Sequence, residues 1–165
     1  MSKNATNSIS PGGPNWKYNG ETRQWAKFEA TIINDLSMAS AIYLLNKHKV
    51  KKMTTQPVWQ TPARQPGVSD EDRQILITIW TSAYKSKYDE YMDNKTKIED
   101  DSQKALGIIG KRVTSHVSQK YKKLLRVDSE KSYYKSFSKL WKHLFEKYGP
   151  SNQNDVDDIL ERLTL

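Results

Sequence analysis

Apolar residues recur along this chain at intervals of three and four, and hardly ever in strict alternation, so the pattern predicts helices rather than strands. Trp25, Phe28, Ile32 and Leu36 mark one stripe of a helix that starts near Thr22. The pattern continues through Ala41, Leu44 and Leu45 to Asn46, read as a second helix. Pro57, Pro62 and Pro66 forbid a continuous helix over residues 53–68 and predict a long exposed loop. Ser69 followed by Asp70, Glu71 and Asp72 is a strong helix start. Leu76, Ile79, Trp80, Ala83, Tyr84, Tyr88 and Tyr91 then keep helical spacing to Met92, and the polar stretch 94–102 breaks it. From Gln103 a further helix carries Ala105, Ile109, Val113, Val117, Tyr121 and Leu124. The clearest amphipath has Tyr133, Phe137, Leu140, Trp141, Leu144 and Tyr148 on one side and Lys131, Lys135, Lys139 and Lys142 on the other. Gly149-Pro150 ends it, and Ser151 or Asn154 caps a last helix with Val156, Ile159, Leu160 and Leu163. The expectation is an all-α fold, a compact bundle of five to six helices.

Residues 1–15, rich in Asn, Ser, Gly and Pro, read as a disordered leader, and residues 16–165 as one helical domain. The chain ends on Leu163-Thr164-Leu165 without a helix stop signal, so it is expected to continue in a longer parent protein.

Composition narrows the function. There is no Cys among 165 residues, which excludes disulfides, thiolate zinc sites and thiol catalysis. No apolar run approaches the ~20 residues that span a bilayer, and the first ten residues lack the features of a signal peptide. The reading is a cytoplasmic or nuclear protein without a membrane partner. Three His and no nucleophile–base pairing point away from an enzyme, so no catalytic residue, metal, cofactor or small-molecule substrate is expected.

Several local patterns have structural explanations. Gly107 and Gly110 before Lys111 and Arg112 glance at a phosphate loop, but only two residues separate the glycines and no hydroxyl follows the Lys. They read instead as sites of close helix packing. His48, His116 and His143 are scattered, and His116 shares a stripe with Ile109 and Val113, the place of a core or boundary residue. The acidic clusters at 70–72, 99–101 and 155–158 read as helix openings, where anions meet the positive end of the helix dipole. Trp25, Trp80 and Trp141 read as core anchors, whereas Trp59 in the Pro-rich segment is a candidate partner contact.

Charge carries most of the functional signal. The net charge is +8, and residues 111–147 hold 11 basic against 3 acidic residues. A polyanion or an acidic protein surface is the natural partner. The candidate nucleic-acid-binding residues are Lys111, Arg112, Lys120, Lys122, Lys123, Arg126, Lys135, Lys139 and Lys142. Lysine reads bases poorly, so binding to RNA is expected through backbone charge, sensitive to salt and indifferent to sequence.

Three stretches together suggest a family. Tyr18-Asn19-Gly20 with Trp25 and a helix reaching Leu36 comes first; the run from Asp101 through Ala105 to Ile108 and Ile109 comes second. The third is Ser136, Lys139, Leu140, Trp141, Leu144 and Tyr148 on one helix. In order and spacing these resemble the Gag polyprotein of copia-type LTR retrotransposons, in the N-terminal lobe of its capsid region. The loop at 53–67 and the helix at 70–92 are larger than that pattern has, and the chain carries no Cys-His zinc knuckle and no protease motif. The resemblance implies a structural, self-assembling capsid domain whose partners are other copies of itself and RNA. It assigns Trp25, Leu36, Ile109, Trp141, Leu144 and Tyr148 to the core scaffold. Two alternatives stay open from the residues alone: a monomeric helical nucleic-acid-binding module using residues 111–147, and a protein–protein adaptor using the Trp59 loop.

Overall fold

A computed structural model of the protein describes residues 11–53, 55–127 and 132–150. The leader up to residue 10, Lys131, and the helix expected beyond Pro150 with its acidic cluster at 155–158 lie outside the described residues. The described chain is mostly helical, with five α-helices and one small hairpin. A 3₁₀ turn at Thr22–Gln24 leads into α1 (Trp25–Met38). A second 3₁₀ turn at Ile42–Leu44 is followed by β1 (Leu45–Asn46) and β2 (Lys49–Val50), and then α2 (Asp70–Arg112), α3 (Ser115–Lys120), α4 (Lys122–Leu125) and α5 (Tyr133–Tyr148). The chain divides into two compact units where one domain from residue 16 was expected: one contains residues up to Lys51 and from Ile98 on, the other Lys52–Lys97.

The larger unit is built around aromatic rings. Tyr18, Phe28 and Trp141 are essentially inaccessible to solvent, with Trp25 and Tyr148 beside them. Tyr18 stacks on Phe28 at 4.6 Å between ring centroids and meets Trp25 and Tyr148 edge to face. Trp25 lies 5.6 Å from Trp141. Tilted and edge-to-face pairs of this kind add to simple area burial, because the ring edge is electropositive and the face electronegative. Leu36, Leu44, Ala105, Ile109, Val117, Leu140 and Leu144 complete the core, each buried. Tyr18 is also a backbone hub: its N–H donates to Arg112 O at 2.6 Å, and its C=O accepts from Thr114 N at 2.9 Å. These bonds form an isolated bridge between Tyr18 and Val113.

That bridge explains where sequence and structure part. The helix expected from Gln103 past Val113 stops at Arg112, because the Arg112 carbonyl and the Thr114 N–H are turned to Tyr18. The helical phase restarts at Ser115, so Val117 is buried and His116 is exposed, not on the core stripe. Residues 94–102 do not break the helix either; α2 runs unbroken for 43 residues. The stretch lacks Gly and Pro, so its polarity does not break the helix: residues 94–97 are exposed, while Asp101 and Ser102 turn into the larger unit. Residues 41–46 form a 3₁₀ turn and a strand instead of a second helix, although Ala41 and Leu44 are buried as their spacing suggested. Gly107 has open space where a side chain would sit, so close packing does not explain it.

Of the acidic clusters, 70–72 does open a helix, with Ser69 Oγ accepting from Asp72 N at 3.1 Å. The cluster at 99–101 lies inside α2 and works across to other elements. Glu99 accepts from Tyr133 N at 2.7 Å and from Ser132 Oγ, so its negative charge sits at the N-terminus of α5. Asp101 is buried and accepts from the Tyr43 hydroxyl. The far end of the expected leader is also held: Gly12 N donates to Thr31 Oγ1 at 3.0 Å, and Gly13 O accepts from Arg112.

The smaller unit contains the first part of α2 and the Pro-rich segment. Residues 55–69 form neither helix nor strand. Trp59 meets Tyr84 edge to face at 5.5 Å, and Tyr84, Tyr88 and Tyr91 are half-buried along one side of the helix. Trp80, expected as a core anchor, is 47% exposed. It lies one turn before Tyr84, at the edge of the side that carries the tyrosines, and about half of its surface stays open to solvent.

Candidate functional site

The basic residues of 111–147 do not act as one group. Lys111, Lys120, Lys122, Lys123, Arg126, Lys135, Lys139 and Lys142 are exposed. Arg112 is not available to a ligand. Its guanidinium is 11% exposed and bonds Asp35 with Nε at 2.8 Å, while Nη1 donates to Gly13 O at 2.6 Å and Trp16 O at 3.1 Å. The planar fork suits this task, since it presents several donors in fixed directions. Arg112 therefore ties the entry segment and α1 to the end of α2, and leaves the set of candidate RNA contacts.

Lys135, Lys139 and Lys142 lie on the outer side of α5, opposite its buried stripe of Phe137, Leu140 and Leu144. The β1–β2 hairpin packs beside this helix. It is a tight turn of Lys47 and His48, with Asn46 opposite Lys49 and Leu45 opposite Val50. Lys47 adopts the left-handed conformation at φ 60°, which the two-residue turn demands and which costs a non-glycine residue about 1 kcal/mol.

Three contacts fix that strained turn. Trp141 Nε1 donates to His48 O at 2.9 Å, the Tyr134 hydroxyl donates to Lys51 O, and His48 Nδ1 lies 2.8 Å from Glu29 Oε2. Burial holds the Tyr134 hydroxyl above its ordinary pKa, so it remains a donor through the neutral range.

Between hairpin and helix lies a cleft of about 460 Å³. His48, Lys49 and Val50 form one wall; Ser138, Trp141, Lys142, Phe145 and Glu146 form the other. The His48 and Phe145 rings are 5.6 Å apart at 31°. The arrangement offers aromatic surface inside and cationic side chains at the mouth. Of this set, Lys142 is a nucleic-acid candidate from sequence, and Trp141 is a core-scaffold candidate. The basic run from Lys47 to Lys52 was visible there, but not that the fold lays it beside α5.

A second surface feature lies in the smaller unit. Ile75, Leu76, Ile79 and Trp80 are each between 42% and 58% exposed, on consecutive turns of α2. Val58 is 78% exposed in the segment before it. Large apolar side chains clustered on one helical face mark an interaction surface more often than an inert one.

Among the described residues no group of His, Asp and Glu is placed to hold a metal ion, and no helix is long and apolar enough to cross a membrane. No protein-family model, curated protein or solved structure matches the chain.

Proposed function

We propose that this chain is a structural, self-assembling domain of the capsid kind carried by the Gag polyprotein of copia-type LTR retrotransposons, forming particles around RNA in the cytoplasm. It works without catalysis, by contacts between copies and by charge against RNA. The observation that carries the reading is the exposed apolar stripe of Ile75, Leu76, Ile79 and Trp80 in the smaller unit, whereas most large apolar residues of the larger unit are buried in its core. A stripe of this kind favours association with another apolar surface, and a second copy supplies one in every solution of the protein. Many such weak contacts become strong when RNA concentrates the copies along its length. The order of motifs from Tyr18 to Tyr148 supports the family assignment.

The rival reading of a monomeric nucleic-acid-binding module draws on the basic side of α5. The adaptor reading through Trp59 is weakened by the contact of that ring with Tyr84. Sedimentation velocity over a range of protein concentrations, with and without RNA, separates them. Concentration-dependent multimers that RNA promotes are expected, with particles visible by electron microscopy. Ile79→Glu is expected to abolish them while leaving the helical signal intact. A chain that stays monomeric at high concentration with RNA present overturns the proposal.

A further inference from the structure

We propose that the cleft between the hairpin and α5 binds single-stranded RNA, taking an unstacked base against Phe145 and His48 and the flanking phosphates on Lys49 and Lys142. The inference rests on the reading of the chain as an RNA-packaging domain and assigns that role a place. Two segments almost a hundred residues apart bring cations to one opening, Lys49 from β2 and Lys142 from α5. Lys135 and Lys139 continue the line along the exposed side of α5, and Lys47 stands at the tip of the hairpin. Phosphates spaced along a strand match such a row, whereas a compact anion needs a single pocket.

The interior distinguishes single strands from duplex. Base faces are hidden in a duplex, but a single strand can turn one into a cavity lined by aromatic rings. Phe145 is half-buried, meets Trp25 edge to face at 5.9 Å, and lines the cleft together with the His48 ring. The His48 backbone and imidazole are fixed by Trp141 and Glu29, so the platform is formed before a ligand arrives. Among the described residues lining the cleft, Glu146 is the acidic one, and it limits how tightly a phosphate is held. Among the described residues the wall has no arginine and no asparagine, so bases are accepted by their faces rather than read at their edges.

The test uses the whole chain at concentrations below the onset of multimers, with a labelled oligouridine of about 12 nucleotides and an RNA duplex of the same length, followed by fluorescence anisotropy. The single strand is expected to bind at least tenfold more tightly than the duplex. Lys49→Gln with Lys142→Gln should weaken it about tenfold in moderate salt and reduce the salt slope by about 1.4, the value for two phosphates on a single strand. Phe145→Leu, which keeps an apolar side chain against Trp25, should weaken it about tenfold without altering the slope. Glu146→Gln should tighten it severalfold. Lys85→Gln with Lys87→Gln, in the smaller unit, should change it less than twofold. Equal affinity for duplex and single strand, or unchanged binding in both the lysine and the Phe145 variants, overturns the inference. A chain that binds as described yet never multimerises overturns self-assembly and leaves the cleft standing.

Discussion

Trp141 and Trp80 both occupy the apolar stripe of an amphipathic helix, yet one is 1% exposed and the other 47%. In the larger unit the stripe of α5 meets the stripe of α1, and Tyr18 closes the gap, so each ring finds another ring. In the smaller unit the first part of α2 has apolar residues on two sides. The Pro-rich segment supplies Trp59 to Tyr84, and the Ile75–Trp80 stripe stays about half exposed. Helical spacing states that a face is apolar; it does not state what covers it. The difference separates a part of the molecule that holds itself together from a part that is poised to meet something else.

Paired substitutions test that contrast most severely. Trp141→Ala removes the largest buried side chain and its bond to His48, and should cost about 3–5 kcal/mol. Trp80→Ala should stay within about 0.5 kcal/mol, as surface changes do. Urea denaturation followed by circular dichroism measures both. Comparable losses would dissolve the distinction between the two units.

Next in size is Arg112→Ala. It strips the guanidinium from the Asp35 carboxylate, which is 13% exposed, and frees the carbonyls of Gly13 and Trp16. The expected loss is about 3 kcal/mol by the same measurement, because a largely buried ion pair is broken from one side. An unchanged unfolding midpoint would return Arg112 to the list of available cations.

A smaller and graded effect comes from alkaline pH. Tyr18, Tyr43, Tyr121 and Tyr134 all belong to the larger unit, and burial raises the pKa of each. For Tyr121, burial and then the neighbouring Tyr148 push it up to about 12. Below pH 10 these phenols are neutral in both folded and unfolded chains, and their contribution is intact. Above it the unfolded chain gives up protons that the native state retains, so stability falls as pH rises from 10 towards 12. Urea midpoints between pH 8 and 11.5 should be flat at first and then decline. Tyr43→Phe, which removes the hydroxyl bonded to Asp101, should make the decline shallower.

Much of the larger unit was legible. Trp25, Phe28, Ile32 and Leu36 have the spacing of a buried stripe and are buried, as are Phe137, Leu140, Trp141 and Leu144. Ser69 with three acids behind it marks a helix start, because a short acceptor and negative charge satisfy free N–H groups. The polarity of residues 94–102 suggests a break, but polarity alone does not end a helix that lacks Gly, Pro or a competing partner there. Such a partner was invisible at Val113: the end of α2 is decided by Tyr18, almost a hundred residues away.

The cleft was less legible still. Lys49 and Lys142 are each ordinary surface lysines in the sequence, and Glu99 and Arg112 look like surface charges of the same kind. The sequence by itself determined the helical character of the chain, the start of α2 at Ser69 and the apolar faces of α1 and α5, because periodicity and capping act within a few residues. Tertiary structure alone decided which apolar face is covered, that Arg112 is spent on Asp35, and that a hairpin lies beside α5 to form a cleft. Those outcomes depend on contacts between distant segments, and no local pattern encodes the partner.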